Sequence, residues 1–291
     1  MGFEAAWLAA RAPYDEAALA RSAVAEIEAW AAWLPADAVP VVVDLGSGTG
    51  VALDRVRRWL APRESVAYAV DQDAELLARS APPEDGSRLG RIVGDVLLPL
   101  DNLGGPADGS VDLVVGHALA DLLPLDRLAA RVASLLRPGG LAHLALVYDG
   151  LTAFEPAGDA SLHAAVLAAF HRHMDRPASQ SPDYGGSTAG RGLGPALAAA
   201  GLTVLIDAPS AWDVRATDGV GGRQVLDRLI RFVVDAARAV GAPSPDDLDR
   251  WERARRAALA GGTLTARVSH RDLLARKPER ASRAGRSLTT T

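Results

Sequence analysis

This 291-residue sequence predicts an α/β fold: a doubly wound, mostly parallel sheet of seven strands, with N-terminal helices and helical cap insertions. Three observations carry that expectation. Short β-branched and aliphatic runs at 41–45, 66–70, 91–93, 110–115 and 141–147 alternate with segments of helical periodicity, which is how parallel strands joined by crossover helices read. The first run feeds a turn with glycine at every second position, Gly46, Gly48 and Gly50, where the missing Cβ lets a ligand lie against the backbone. The first three runs also carry or lead into acids, Asp44, Asp71 and Asp95, near the sheet edge where such folds bind ligands.

Taken in order, residues 1–36 form an N-terminal helical segment in which Ala20, Val24, Ile27, Ala31 and Leu34 make one apolar stripe. Pro13 is expected to break it into two pieces. Trp7, Trp30 and Trp33 read as packing on the sheet, with a wall of a ligand pocket as the alternative. After Gly50, the spacing of Val51, Leu53, Val56 and Leu60 is helical, so the turn delivers the chain to a helix N-terminus. The second strand ends in Asp71-Gln72-Asp73. An acid about 20 residues beyond the glycine turn is placed to grip ribose hydroxyls; capping the next helix is the other role, open equally to Asp73. The third strand ends in Gly94-Asp95-Val96, and the fourth leads into Gly116-His117, whose imidazole sits at a strand tip.

Leu125, Leu128, Val132 and Leu135 mark a helix that stops at Arg137-Pro138-Gly139-Gly140, and 141–147 is the fifth strand, with His143 a satisfied interior residue. Tyr148-Asp149-Gly150 is expected at its carboxyl end. An insertion at 151–192 follows, with a helix capped by Asp159 and a Ser/Gly/Pro-rich run, 177–192, expected to be an irregular lid containing Arg191. That helix carries His163, His171 and His173, but their spacing separates them in direction or distance, so no metal site is expected. A short helix at 195–200 precedes the sixth strand at 202–206, which 211–214 extends as a hairpin. A second insertion at 215–260 holds helices at 223–240 and 245–259, and 263–269 is the last strand. The expected division is 1–36, a main domain over 37–275, and a polar, Arg-rich disordered tail over 276–291.

The glycine turn fails the dinucleotide fingerprint G-x-G-x-x-G/A, because the sixth position is Val51 in one register and Leu53 in the other. The spacing is D-x-G-x-G-x-G instead, and the Asp44 carboxylate inside it repels a pyrophosphate and suits a cation. In this motif, in Asp71 and Asp95, and in the turn Leu135-Leu136-Arg137-Pro138-Gly139-Gly140, residues 41–147 resemble the class I S-adenosylmethionine-dependent methyltransferases. The resemblance implies a Rossmann-like methyltransferase fold, S-adenosylmethionine as cofactor, and in-line methyl transfer to an acceptor. It implies Asp44, Gly46, Ser47, Gly48 and Gly50 around the methionine end, Asp71 and Gln72 at the ribose, Asp95 accepting from the adenine amino group, Val96 on the ring, and His117 in contact with the cofactor. His117 and His171 are the candidate general bases; Tyr148, Asp149 and Arg191 are the candidate acceptor contacts.

Gly116-His117-Ala118-Leu119 stands where nucleobase-methylating members carry Asn/Asp-Pro-Pro-Tyr/Trp, and the net charge is −5, so no nucleic-acid partner is expected. A small-molecule acceptor in a capped pocket is the expectation; an RNA or protein methyltransferase and a non-catalytic cofactor-binding interaction protein are the alternatives. The chain has no cysteine, which excludes disulfides and thiolate nucleophiles, and no apolar run long enough to span a membrane, so a cytoplasmic enzyme is expected.

Overall fold

The computed structural model describes residues 5–176 and 185–279. Helices α1 (Ala5–Ala18) and α2 (Arg21–Trp33) precede β1 (Val41–Leu45), α3 (Val51–Leu60), β2 (Val66–Asp71), the one-turn α4 (Ala74–Leu77) and β3 (Arg88–Val93). Then come β4 (Val111–His117), α5 (Leu125–Leu135), β5 (Leu136–Glu155), α6 (Ala160–Met174), α7 (Ala189–Ala199), β6 (Thr203–Arg215), α8 (Gly219–Val240), α9 (Pro245–Ala260) and β7 (Thr265–Arg276). The strands form one sheet in the order β3-β2-β1-β4-β5-β7-β6, parallel from β3 to β5, with β7 antiparallel to both its neighbours. The chain reverses its direction of travel across the sheet between β1 and β4, and that is where a crevice opens at the carboxyl ends of the strands.

The helices lie where their apolar faces send them. In α5, Leu128, Val132 and Leu135 are fully buried on one face of the sheet; in α8, Val225, Leu229 and Val233 are buried on the other. Central strands are apolar on both sides because helices cover both: Val42 and Val43 of β1 are both inaccessible yet belong to cores on opposite faces.

Several local expectations differ from the structure. α1 runs through Pro13, and the break falls at residues 19 and 20. A proline already has a helical φ and removes one donor, whereas Ala20 presents its backbone N–H to Asp272 Oδ2 at 2.7 Å, a tertiary bond that fixes the start of α2. β5 is much longer than 141–147, so Tyr148 and Asp149 sit within a strand rather than beyond one, next to register irregularities at 144–147 and 148–152. β6 is one continuous strand rather than a hairpin, because β7 pairs along its whole length. The expected lid divides: residues 177–184 lie outside the described residues, while 186–188 form a 3-10 turn leading into α7, with Ser187 bonded through its N–H and hydroxyl to the Asp175 carboxylate. Arg276 belongs to β7, and Lys277 donates to the carbonyls of Ala133 and Leu136, so the chain stays bound to the sheet there; residues 280–291 lie outside the described residues. No helix among the described residues is long and apolar enough to cross a membrane.

Candidate active site

The glycine turn is held by the neighbouring strand and roofed by α1. The N–H groups of Gly46 and Ser47 both donate to the Val70 carbonyl, at 2.9 and 3.0 Å. Gly46 has φ +69°, and a Cβ there would stand 2.8 Å from Leu119. Asp71, at the tip of β2, accepts from Gly48 N–H at 2.8 Å and from Asp73 N–H at 2.9 Å, while Asp73 caps α4 through Glu75 and Leu76. The two acids thus divide the work: Asp73 caps, and Asp71 ties β2 to the glycine turn with lone pairs left over.

A cleft of about 750 Å³ lies above this turn, and Gly46, Gly48, Asp71, Gln72, Val96 and His117 line it together. Asp44 and Ser47 lie beneath, on a small pocket of about 50 Å³ that they share with Asp15, Arg11 and Arg55. Asp44 is buried, and its carboxyl is pushed up to about 7 by burial; the Asp71 charge adds to the rise, while Ser47 and Arg55 oppose it. Neither Asp44 Oδ2 nor Ser47 Oγ has a hydrogen bond of good geometry among the described residues. Two expected contacts line neither space. Gly50 is turned into the fold, where a Cβ would meet Ser80 Cβ at 2.8 Å, and Asp95 Oδ1 is occupied by Leu97 N–H in its own turn.

His117 borders the cleft but points both ring nitrogens inward. Arg55 Nη1 lies 3.5 Å from Nδ1, and Nε2 lies 3.2 Å from His143 Nδ1. A guanidinium only donates, so Nδ1 accepts, Nε2 carries the proton, and His143 accepts it. Burial, with His143 and Arg55 adding, pushes His117 well below the usual histidine range. Its ring is therefore neutral, with no free nitrogen to take a proton from an acceptor. His143, expected to be satisfied, keeps Nε2 buried without a partner among the described residues.

Sequence reasoning missed Leu8 and Arg11. Arg11 borders the cleft, the small pocket and a third space, and pairs with Asp15 at 3.3 Å. The signal was present: Trp7, Arg11 and Asp15 recur every four residues on the buried face of α1, so two charges occupy an apolar stripe.

The third space, about 140 Å³, opens beside the cleft and shares Arg11, Ala118 and Leu122 with it. Its wall includes the rings of Trp7, Tyr148, Phe170, Trp212 and Phe232. Trp7 therefore takes the pocket-wall role, whereas Trp33 is exposed and Trp30 and Trp33 border a distant surface hollow. Tyr148 Oη lies 2.7 Å from His171 Nε2 and 3.0 Å from Thr152 Oγ1. His171 is half-buried behind Tyr148, and burial lowers its pKa while Asp175 opposes. Asp149 and Arg191 pair with each other at 3.3 Å and line neither the cleft nor this cavity. Among the described residues, no group of three His, Cys, Asp or Glu is placed to hold a metal ion.

No protein-family model and no curated protein matches the sequence. In three dimensions the chain is similar to a candidate methyltransferase from Bacillus halodurans, 14% identical over 88% of this chain and 99% of that one, with a TM-score of 0.52. It is also similar to a candidate type II methyltransferase from Anaeromyxobacter dehalogenans, 20% identical over 88% and 97% of the two chains, with a TM-score of 0.51. With the strand order above, these likenesses define the fold as the Rossmann-like methyltransferase fold.

Proposed function

We propose that this protein is an S-adenosylmethionine-dependent methyltransferase acting on a small molecule. The observation that carries the reading is the convergence of Gly46, Gly48, Asp71, Gln72 and Val96, scattered over fifty positions of sequence, on one cleft at the sheet's switch point. The residues fit the cofactor. Gly46 and Gly48 leave the backbone bare where a nucleoside thioether must pass, Asp71 faces the same cleft with acceptor capacity for ribose hydroxyls, and Val96 offers an apolar face for adenine. Beneath the turn, Asp44, whose Oδ2 has no hydrogen-bond partner among the described residues, is the counter-charge for an ammonium or sulfonium, and Arg11 is the cation for a carboxylate. Asp95 supports this role least, its Oδ1 being committed to the turn.

Bound S-adenosylmethionine supplies a methyl carbon already activated by the sulfonium. What the chain adds is alignment and exclusion of water, worth about 7–11 kcal/mol when two reactants are held in line. α1 does much of this, since Leu8 and Arg11 close the cleft over the turn. The cytoplasm is the compartment this reading implies, where a chain without cysteine forgoes nothing.

Calorimetry with S-adenosylhomocysteine, S-adenosylmethionine and NAD tests the reading. Micromolar affinity, about −8 kcal/mol, is expected for the first two and none for NAD. Asp71→Ala should weaken binding by about 1–3 kcal/mol, the cost of losing hydrogen bonds to a charged group. Tight NAD binding, or affinity unaffected in Asp71→Ala, overturns the assignment.

A further inference from the structure

The 140 Å³ cavity has features that core packing does not explain. Among the described residues only two non-glycine positions have left-handed backbone, Ala118 (φ +52°) and Leu146 (φ +58°), and both line this cavity. Strained backbone persists where the surrounding structure enforces it, and it gathers at functional sites. Trp7 Nε1 and His270 Nδ1, from two further lining residues, are buried without hydrogen-bond partners among the described residues. The cavity communicates with the cleft through Arg11, Ala118 and Leu122.

Size and lining define what fits. A dry cavity of about 150 Å³ lined by apolar side chains holds one benzene molecule. The space here is of that volume, walled by aromatic rings and by Leu122, Leu146 and Leu229. Arg11 on its wall pairs with Asp15, and the Asp121 carboxyl on the same wall is raised to about 6 by burial. An anionic guest therefore finds its cation already paired, and a cationic guest has to ionise a carboxyl that burial holds toward its neutral form. Among the polar groups of the lining, the Tyr148 hydroxyl is the one held by two hydrogen-bond neighbours, Thr152 and His171, which leaves an oxygen lone pair for a guest's hydroxyl.

We propose that this cavity is the acceptor pocket, that its guest is an uncharged single-ring molecule bearing a hydroxyl, and that Tyr148 takes the hydroxyl proton and relays its own to His171. The proposal rests on the methyltransferase reading above. In the step, the guest's O–H bond breaks and its proton passes to Tyr148 Oη, while the Tyr148 proton moves to His171 Nε2. The guest oxygen forms a bond to the methyl carbon of the sulfonium donor, the carbon–sulfur bond breaks, and its electron pair stays on sulfur as a neutral thioether. The proton left on His171 is near the Asp175 charge, at a ring half-open to solvent, from which it is released. Tyr148 touches the guest; His171 acts through Tyr148.

Phenol, toluene and benzoate are the probes, read by calorimetry and by quenching of Trp7 and Trp212 in the cofactor-free protein. Phenol should bind tighter than toluene or benzoate, and Tyr148→Phe should weaken it roughly tenfold, to the level of toluene. Leu229→Phe, which fills the cavity from α8 and leaves the Tyr148 side chain unaltered, should abolish binding of both. Unchanged phenol affinity in Tyr148→Phe with a wild-type melting temperature, or stronger binding of benzoate, overturns the pocket. Phenol binding without S-adenosylhomocysteine binding overturns the methyltransferase reading instead; the converse overturns only the pocket. With a phenolic substrate, the rate should fall on the acid side as His171 becomes protonated, and His171→Gln should lower kcat, leave KM, and remove that limb. Asp121, Asp149, Asp175 and His270 also face the Tyr148–His171 pair. Asp121, raised to about 6 by burial, is the group that titrates nearby, so Asp121→Asn must keep the limb. A limb that follows Asp121 rather than His171 overturns the relay.

Discussion

Asp44 is a carboxylate held where neither water nor a good hydrogen bond reaches one of its oxygens, and its burial has a measurable sign. Burial pushes the folded carboxyl up to about 7 from its ordinary 3.8, so between those values the folded chain holds a proton that the unfolded chain has lost. Stability from this residue is full below pH 4 and drains away as pH rises to about 7, by up to about 4 kcal/mol. Asp44→Asn should melt like the wild type near pH 3.5 and distinctly higher at pH 8. A cationic ligand reverses the balance by favouring the charged form, so S-adenosylhomocysteine should release part of a proton on binding near pH 6.5. Calorimetry in two buffers of unlike ionisation enthalpy reads that release; heats independent of buffer would remove Asp44 from the ligand's neighbourhood. Asp44, Asp71 and the glycines were legible in the sequence because their spacing is local, set by a strand and its turn. The inward lock on His117 was not, since Arg55 and His143 reach it from 62 and 26 positions away.

At the scale of elements, α1 is the piece that closes the site, and one buried arginine ties three of its residues to α3. Arg55, almost fully buried on α3, donates to Glu16 at 2.7 Å and to the Ala12 carbonyl at 3.2 Å, and lies 3.9 Å from Asp15. Arg55→Met keeps the packing of the stem and removes the tethers. We expect a loss of about 1–3 kcal/mol, because Asp15 and the Ala12 carbonyl are left short of partners, with faster amide exchange confined to residues 5–18 and weaker cofactor binding. Undiminished protection of α1 in that variant would show that Trp7 and its neighbours, not Arg55, secure it. Periodicity found the helices and the first five strands, since each repeats its apolar positions over several residues. It misjudged the lengths of β5, β6 and β7, whose pairing to one another is long-range: Thr152 to Glu155 of β5 have partners only on β7. Nothing within a strand records where its neighbour ends.

For the whole molecule, the decisive fact is how the added helices share their core. One apolar cluster joins Trp7 of α1, Ile27 of α2, Leu53 of α3, Val166 of α6, Leu229 of α8 and Trp251 of α9, across strands β1, β2, β4, β5, β6 and β7. The cap is thus packed onto the same sheet face as the helices of the nucleotide half. Chains of 291 residues commonly unfold in stages, because separate cores melt separately. Here the 140 Å³ cavity lies inside the shared cluster, since Trp7, Tyr148, Trp212 and Val268 belong to both, and opening the site by melting the cap would strip apolar cover from the parallel strands as well. We therefore expect one cooperative transition in urea. Tryptophan fluorescence, whose buried reporters are Trp7, Trp212 and Trp251 around the cap and Trp59 on α3, with Trp30 and Trp33 on α2 adding to the signal, should coincide with far-ultraviolet circular dichroism. Fluorescence changing at lower urea than the circular dichroism would mean that the cap comes away first and that the pocket is walled by a separable lid.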